Sequence, residues 1–285
     1  REEEVARLVK RLDCFPLAVR QAVDYSVSMR LESPDEYIRE MDGSKERSWL
    51  EKRWNKGGGN KTYPFSLAEV VHLSVGKLIH ADVDDSEQAV RLLRFLSLLH
   101  PSEIPLELIP REWKPLLSLL LSQSLVMETA SGKAVKMHAM TQEIVRGHLM
   151  GNGKGDAIAS VGEALWKWVG RIDHGKTATI FIGWKYHSHV QQLALTAAEM
   201  GVSGKSLGGV VRNVMEKTAL FLSDIACQYE AALVLQKALL KLRREAFGAE
   251  HVDVAKTYKN MGNVFFRQGL FDKALEYYQK DLEIS

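Results

Sequence analysis

Across 285 residues the chain carries 38 Lys and Arg against 36 Asp and Glu, with 46% hydrophobic and 26% charged residues. That composition excludes a disordered or fibrous chain and leaves room for two domains, and a formal net charge of +2 supplies no field that would draw the protein to nucleic acid or an anionic membrane. Cys14 and Cys227 stand far apart without Cys or His companions at metal-ligand spacing, which argues against a disulfide framework and a zinc site and for a reducing, cytoplasmic setting.

The chain opens on Arg1 and three Glu, inside a charged helix, and stops inside another at Glu283-Ile284-Ser285, as a piece of a longer polypeptide would. No apolar run reaches the roughly 18 residues that a membrane span needs. Residues 2–31 are helical in pattern with a break at Cys14-Phe15-Pro16-Leu17-Ala18, and Ser33-Pro34-Asp35-Glu36 announces another helix. There Ser33 can cap, Pro34 suits the first helical position, and Glu36 can reach back as a capping-box partner. Lys56-Gly57-Gly58-Gly59-Asn60-Lys61 reads as a polar loop closing this first helical unit, residues 1–60.

From Ser66 to Leu99 the spacing predicts two helices, the second starting near Asp85 and carrying Val90, Leu93, Leu96 and Leu99. A Pro-punctuated stretch from Pro101 to Pro115 leads to a short buried helix over Leu116–Leu121. Leu125–Thr129 and Ala134–His138 read as strands around Ser131-Gly132, and Thr141–Leu149 returns to helical spacing. Helix, helix, short helix, two-stranded wing, helix is the order of a winged-helix unit, here residues 61–150. It lacks the concentrated basic recognition helix that DNA binding would need, which favours a regulatory or protein-interaction role.

Three segments carry a closer likeness. Leu12-Asp13-Cys14-Phe15-Pro16-Leu17-Ala18-Val19 resembles the Gly-Leu-Pro-Leu-Ala region of NB-ARC proteins, the STAND-class nucleotide switches. Phe95-Leu96-Ser97-Leu98-Leu99-His100-Pro101-Ser102-Glu103-Ile104-Pro105 is similar to their winged-helix region, and Met137-His138-Ala139-Met140-Thr141-Gln142-Glu143 resembles their Met-His-Asp segment. The resemblance covers roughly residues 1–150 and implies two cofactor-binding positions. Pro16 would lie against the base of a bound ADP or ATP, and His138 would reach its β-phosphate. Ala139 stands where that family has Asp, a departure that bears on how firmly an inactive state is held.

Such a switch keeps its phosphate loop on a separate ATPase lobe, which these residues do not contain. Gly170-Arg171-Ile172-Asp173-His174-Gly175-Lys176-Thr177 satisfies the phosphate-loop pattern, but the chemistry requires a strand before the loop and a helix after it. Here Ala164–Val169 extends a helix, and Thr179-Ile180-Phe181-Ile182 is apolar and β-branched, so the expected order is reversed. Gly204-Lys205-Ser206 is weaker still, with Glu199 in the place of the first Gly. No nucleophile elbow, Cys/His pair or metal-ligand cluster points to an enzyme, and neither catalysis nor tight nucleotide binding is expected of these residues alone. Residues 151–214 are expected to be helical, as a linker or an atypical capping repeat.

From Ala255 to Gln268 apolar and small residues recur at helical spacing, Gly269 sits where a helix ends, and Phe271, Ala274, Leu275, Tyr278 and Leu282 mark a second helix. Shifted by 42 residues, Lys217, Leu222, Tyr229, Ala232 and Leu233 pair with Lys259, Val264, Phe271, Ala274 and Leu275. Ala246-Phe247-Gly248-Ala249-Glu250-His251-Val252-Asp253-Val254-Ala255, with Gln268-Gly269 and Ala274-Leu275, resembles the tetratricopeptide repeats of kinesin light chains, although Val252 replaces their usual Pro. Stacked units of this kind, residues 215–285, bind other proteins.

The whole therefore reads as mainly α: a helical subdomain, a winged helix and a tetratricopeptide superhelix. The resemblance implies the regulatory and partner-binding part of an ADP/ATP-controlled signalling protein, of innate-immune or cell-death type, that self-oligomerises when intact. The alternative is a kinesin-light-chain-like adaptor without nucleotide control.

Overall fold

A computed structural model describes residues 2–43, 65–80, 83–173 and 175–284, and thirteen α-helices run through them. The Lys56–Lys61 loop expected from the sequence lies outside the described residues. Backbone contacts gather the chain into two units, Arg1–Ser97 with Pro101–Met150, and Leu98–His100 with Gly151–Ser285.

In the first unit α1 (Glu2–Arg11) and α2 (Pro16–Met29) are separated by Asp13 and Cys14, both left-handed with φ of 55° and 53°. Pro16 occupies the first turn of α2, where its missing N–H costs nothing. α3 (Pro34–Gly43) starts as its sequence predicts: the Glu36 N–H donates to Ser33 Oγ at 3.3 Å. The Glu36 carboxylate reaches one residue farther back than a standard box, accepting the Glu32 N–H at 2.7 Å. α4 (Phe65–His80) carries Glu69, only 3% exposed, whose carboxylate takes both guanidinium nitrogens of Arg11 at 3.0 and 3.3 Å. Arg11 also donates to Asp42, so one side chain ties α1, α3 and α4.

α5 (Val83–Ser97) starts two residues before the position read from the sequence. β1 (Ile104–Pro105), β2 (Met127–Glu128) and β3 (Ala134–Lys136) form an antiparallel sheet in the order β1-β3-β2, with Ile104 opposite Val135 and Glu128 opposite Val135 on the other side. β1 is not legible in the sequence because it is two residues long and ends on a proline. A 3₁₀ turn (Arg111–Leu116) runs into α6 (Leu117–Ser122), and α7 (Ala139–His148) packs against α4 and α5. Gln142 and Arg146 of α7 donate to the last carbonyls of α5, Leu96 at 3.0 Å and Ser97 at 2.7 Å. The three-stranded sheet with its helices is a winged-helix arrangement. Phe95, Leu92, Leu93 and Leu96 lie in its core, which explains the apolar periodicity of α5.

The second unit consists of helical hairpins: α8 (Lys154–Val169) with α9 (Thr177–Glu199), α10 (Gly209–Asp224) with α11 (Tyr229–Phe247), and α12 (Val252–Arg267) with α13 (Phe271–Leu282). α10 packs on both α8 and α9, and α12 on α11, so each hairpin buries the open face of the one before. A 42-residue shift of α10 and α11 lands on α12 and α13, as the internal repeat predicts. Glycines admit close crossings: a Cβ at Gly162 would sit 2.6 Å from Val211 Cγ2, one at Gly262 2.6 Å from Tyr278 Cε1, and one at Gly183 2.4 Å from Phe221 Cε2. α12 begins at Val252, where the kinesin-light-chain repeats that it resembles usually have Pro. The His251 ring serves as the cap, its Nδ1 accepting the Asp253 N–H at 3.1 Å.

Candidate functional site

Pro16 and His138 each occupy the start of a helix, and each is exposed. His138 is the N-cap of α7, positioned by β3 two residues earlier. Its Nδ1 accepts the Met140 N–H at 3.2 Å. An acceptor role at Nδ1 leaves the proton of the neutral ring on Nε2, so the exposed residue carries one ring donor. A donor beside a helix N-terminus, where backbone N–H groups and the helix dipole attract negative charge, is chemically suited to an oxyanion. Ala139, exposed at the first position of α7, leaves no carboxylate at that position to oppose one.

The Gly170–Thr177 loop connects two helices. α8 runs up to Val169 with Gly170 as its C-cap, and α9 begins at Thr177. A helix does follow the loop, contrary to the strand suggested by Thr179–Ile182, but the strand that should precede it is replaced by α8. Described residues of the loop bind one another. Asp173 Oδ1 accepts the Gly175 N–H at 3.0 Å, Lys176 pairs with Asp173 at 3.3 Å, and Thr179 Oγ1 accepts the Asp173 N–H at 2.9 Å. The Gly175 N–H and Lys176 together hold the Asp173 carboxyl below its usual range. The lysine that would grip a phosphate is thus paired with the loop's own acid. Gly204 is likewise occupied: a Cβ there would strike the Leu242 backbone, and its N–H donates to Glu245 at 2.9 Å.

A buried polar constellation lies in the repeats, where no sequence motif points to it. Arg243 of α11 is 3% exposed and donates to Glu216 of α10 at 2.8 Å, to Thr257 Oγ1 of α12 at 2.8 Å and to the Asp253 carbonyl at 3.1 Å. Lys256 of α12 reaches the other Glu216 oxygen at 2.9 Å. Burial pushes the Glu216 carboxyl up, but Lys256 and Arg243 outweigh it and the net shift is downward. One buried carboxylate therefore joins three helices of successive repeats. The signal available in the sequence is phase: Glu216 and Arg243 occupy positions where Met215, Ala219, Leu239 and Leu242 put the buried face.

Elsewhere on the repeats α12 exposes Lys259, Asn263 and Phe266, and α13 exposes Phe271 and Leu275. Phe266 and Phe271 are 56% and 58% exposed although their rings pack at 5.4 Å, an apolar patch of the kind that marks a contact surface. Among the described residues no group of His, Cys, Asp and Glu could hold a metal ion, and no helix is long and apolar enough to cross a membrane.

Comparison with known proteins returns no match among curated proteins and none among solved structures. Residues 219–285, from the second half of α10 to the end of the chain, match the tetratricopeptide repeat family, so the carboxyl-terminal hairpins are tetratricopeptide repeats and their general role is to bind protein partners.

Proposed function

We propose that these residues form the regulatory and partner-binding portion of an ADP/ATP-controlled signalling switch of the NB-ARC kind, with the repeats as its sensing arm. The observation that carries this reading is the His138 cap: Nδ1 accepts the Met140 N–H, which leaves the ring proton of this exposed residue on Nε2 at the start of α7. Pro16, exposed at the first turn of α2, supplies a flat apolar surface for a base. The nucleotide-binding lobe and its phosphate loop are not among these residues, so nucleotide would be shared between that lobe and Pro16 and His138. The 285 residues would neither catalyse hydrolysis nor hold nucleotide tightly by themselves.

In this reading the exchange of ADP for ATP shifts the population between two packed arrangements, one of which self-associates in the cytoplasm. Neither nucleic acid nor membrane has a role. The repeats bind the triggering or downstream protein through the patch around Phe266, Phe271 and Leu275.

The test is nucleotide content. The polypeptide carrying these residues, purified natively from its own cells, should release ADP on denaturation. His138→Ala should lose that ADP while partner capture by the repeats persists. Partner capture with no nucleotide in either protein would replace the switch by the adaptor reading. Tight ATP binding by residues 1–285 that disappears in Lys176→Ala would restore the Gly170 loop as a phosphate site.

A further inference from the structure

A second candidate site lies in the first unit, away from Pro16 and His138 in sequence. The 3₁₀ turn Arg111–Leu116 and α6 border a cavity of about 520 Å³, lined by Gln88, Glu112, Trp113, Pro115, Leu116, Ser118 and Leu119. That volume is in the range of small-molecule pockets, roughly 300–1,000 Å³.

The local helix type explains the lining. In a 3₁₀ turn residues three apart eclipse, so the six residues make three faces. Glu112 with Pro115 and Trp113 with Leu116 line the cavity, while the face carrying Arg111 and Lys114 does not. The one charged side chain in the lining is therefore a carboxylate.

Trp113 is held in place. Its indole N–H donates to Gln88 Oε1 at 2.9 Å, and its ring meets Phe95 edge-on at 5.6 Å. The Ser118 hydroxyl is spent on the Pro115 carbonyl at 2.9 Å. The Glu112 carboxylate has no ion-pair partner among the described residues. An apolar floor, a fixed indole and one carboxylate without an ion-pair partner among the described residues together select a positive charge on an apolar stem. A cation over an indole face gains from the ring quadrupole, and the carboxylate adds a charge-assisted hydrogen bond.

The geometry points to a binding site for an organic ammonium group on a short aliphatic stem, as in a free alkylamine or a lysine side chain. Neither the repeats nor the nucleotide reading requires it, and its failure would leave both standing.

The experiment is a titration of the isotopically labelled chain, read at the Trp113 indole N–H, which is assigned by its absence in Trp113→Phe. Butylammonium and a blocked lysine dipeptide are added separately, with butanol and butyrate as neutral and anionic controls. A saturable shift with at least one ammonium ligand and none with butyrate is expected, weakened about tenfold or more by the exposed substitution Glu112→Gln. Tighter binding of the dipeptide would assign the site to a lysine on a partner, and tighter binding of butylammonium to a free amine. No saturable shift with either ammonium ligand, an equal response to butanol, or indifference to Glu112→Gln would overturn the proposal.

Discussion

At the scale of single residues, the side chain with most at stake is Arg243. It is 4% exposed at its side chain and faces Glu216 at 11%, so the pair is desolvated and its worth depends on both partners remaining. Arg243→Ala leaves Glu216 buried with Lys256 and the Asn260 amide to answer it, and should destabilise the repeats by about 3–5 kcal/mol in a urea titration. A double replacement, Glu216→Met with Arg243→Met, removes both charges and should recover much of that loss. Lys256, half out in solvent, should matter by about 1 kcal/mol or less. The same network sets an acid limit. The folded Glu216 carboxyl lies below its ordinary 4.5, so its contribution is complete above that value and lost as the pH falls through the lower folded value. The stability gap between wild type and Glu216→Gln should thus be widest above pH 4.5 and close beneath it. A gap independent of pH would contradict the assignment.

At the scale of elements, the repeats depend on close helix crossings as much as on apolar faces. Gly262 lies under the Tyr278 ring, whose hydroxyl is fixed by Asn263 Oδ1 at 2.8 Å, so the ring cannot swing away without losing that bond. Gly262→Val should cost about 1–3 kcal/mol through overpacking, measured as a lowered unfolding midpoint. Gly147 of α7 faces open space, and Gly147→Ala should instead raise stability by about 0.5–1 kcal/mol through helix propensity. The contrast matters because both glycines look alike in the sequence. For Gly262 the sequence offers a clue, since it lies on the face of small and apolar residues that recurs from Ala255 to Gln268. For Gly162 and Gly183 no such clue exists, because the residues that cover them, Val211 and Phe221, both belong to α10, a later helix of the chain.

At the scale of the whole molecule, each unit has its own core. Leu92, Leu93, Phe95 and Leu96 occupy the first, and Val214, Phe221, Leu235 and Met261 the second. Hydrogen exchange on Arg243→Ala should therefore quicken at the amides of α10 to α13 while α4, α5 and α7 keep their protection; uniform loss of protection would mean that the two units unfold together.

Much of the helical layout is legible in the amino-acid sequence alone. Apolar spacing locates α1 to α5 and the last two helices within a few residues, because a helix face repeats every three or four residues wherever it is buried. Ser33-Pro34 and Gln268-Gly269 mark ends because caps are local chemistry. The repeat is visible because each hairpin needs the same small and apolar residues to receive its neighbour. Only the tertiary structure shows that His251 caps the helix that lacks the usual proline, that the Gly170 loop spends its lysine on Asp173, and that His138 caps α7 through Nδ1. It alone reveals the Glu216–Arg243 bridge and the cavity at Trp113. Those features arise where residues distant in the chain meet, and pattern along one chain reports the burial of a face but not the partner that covers it.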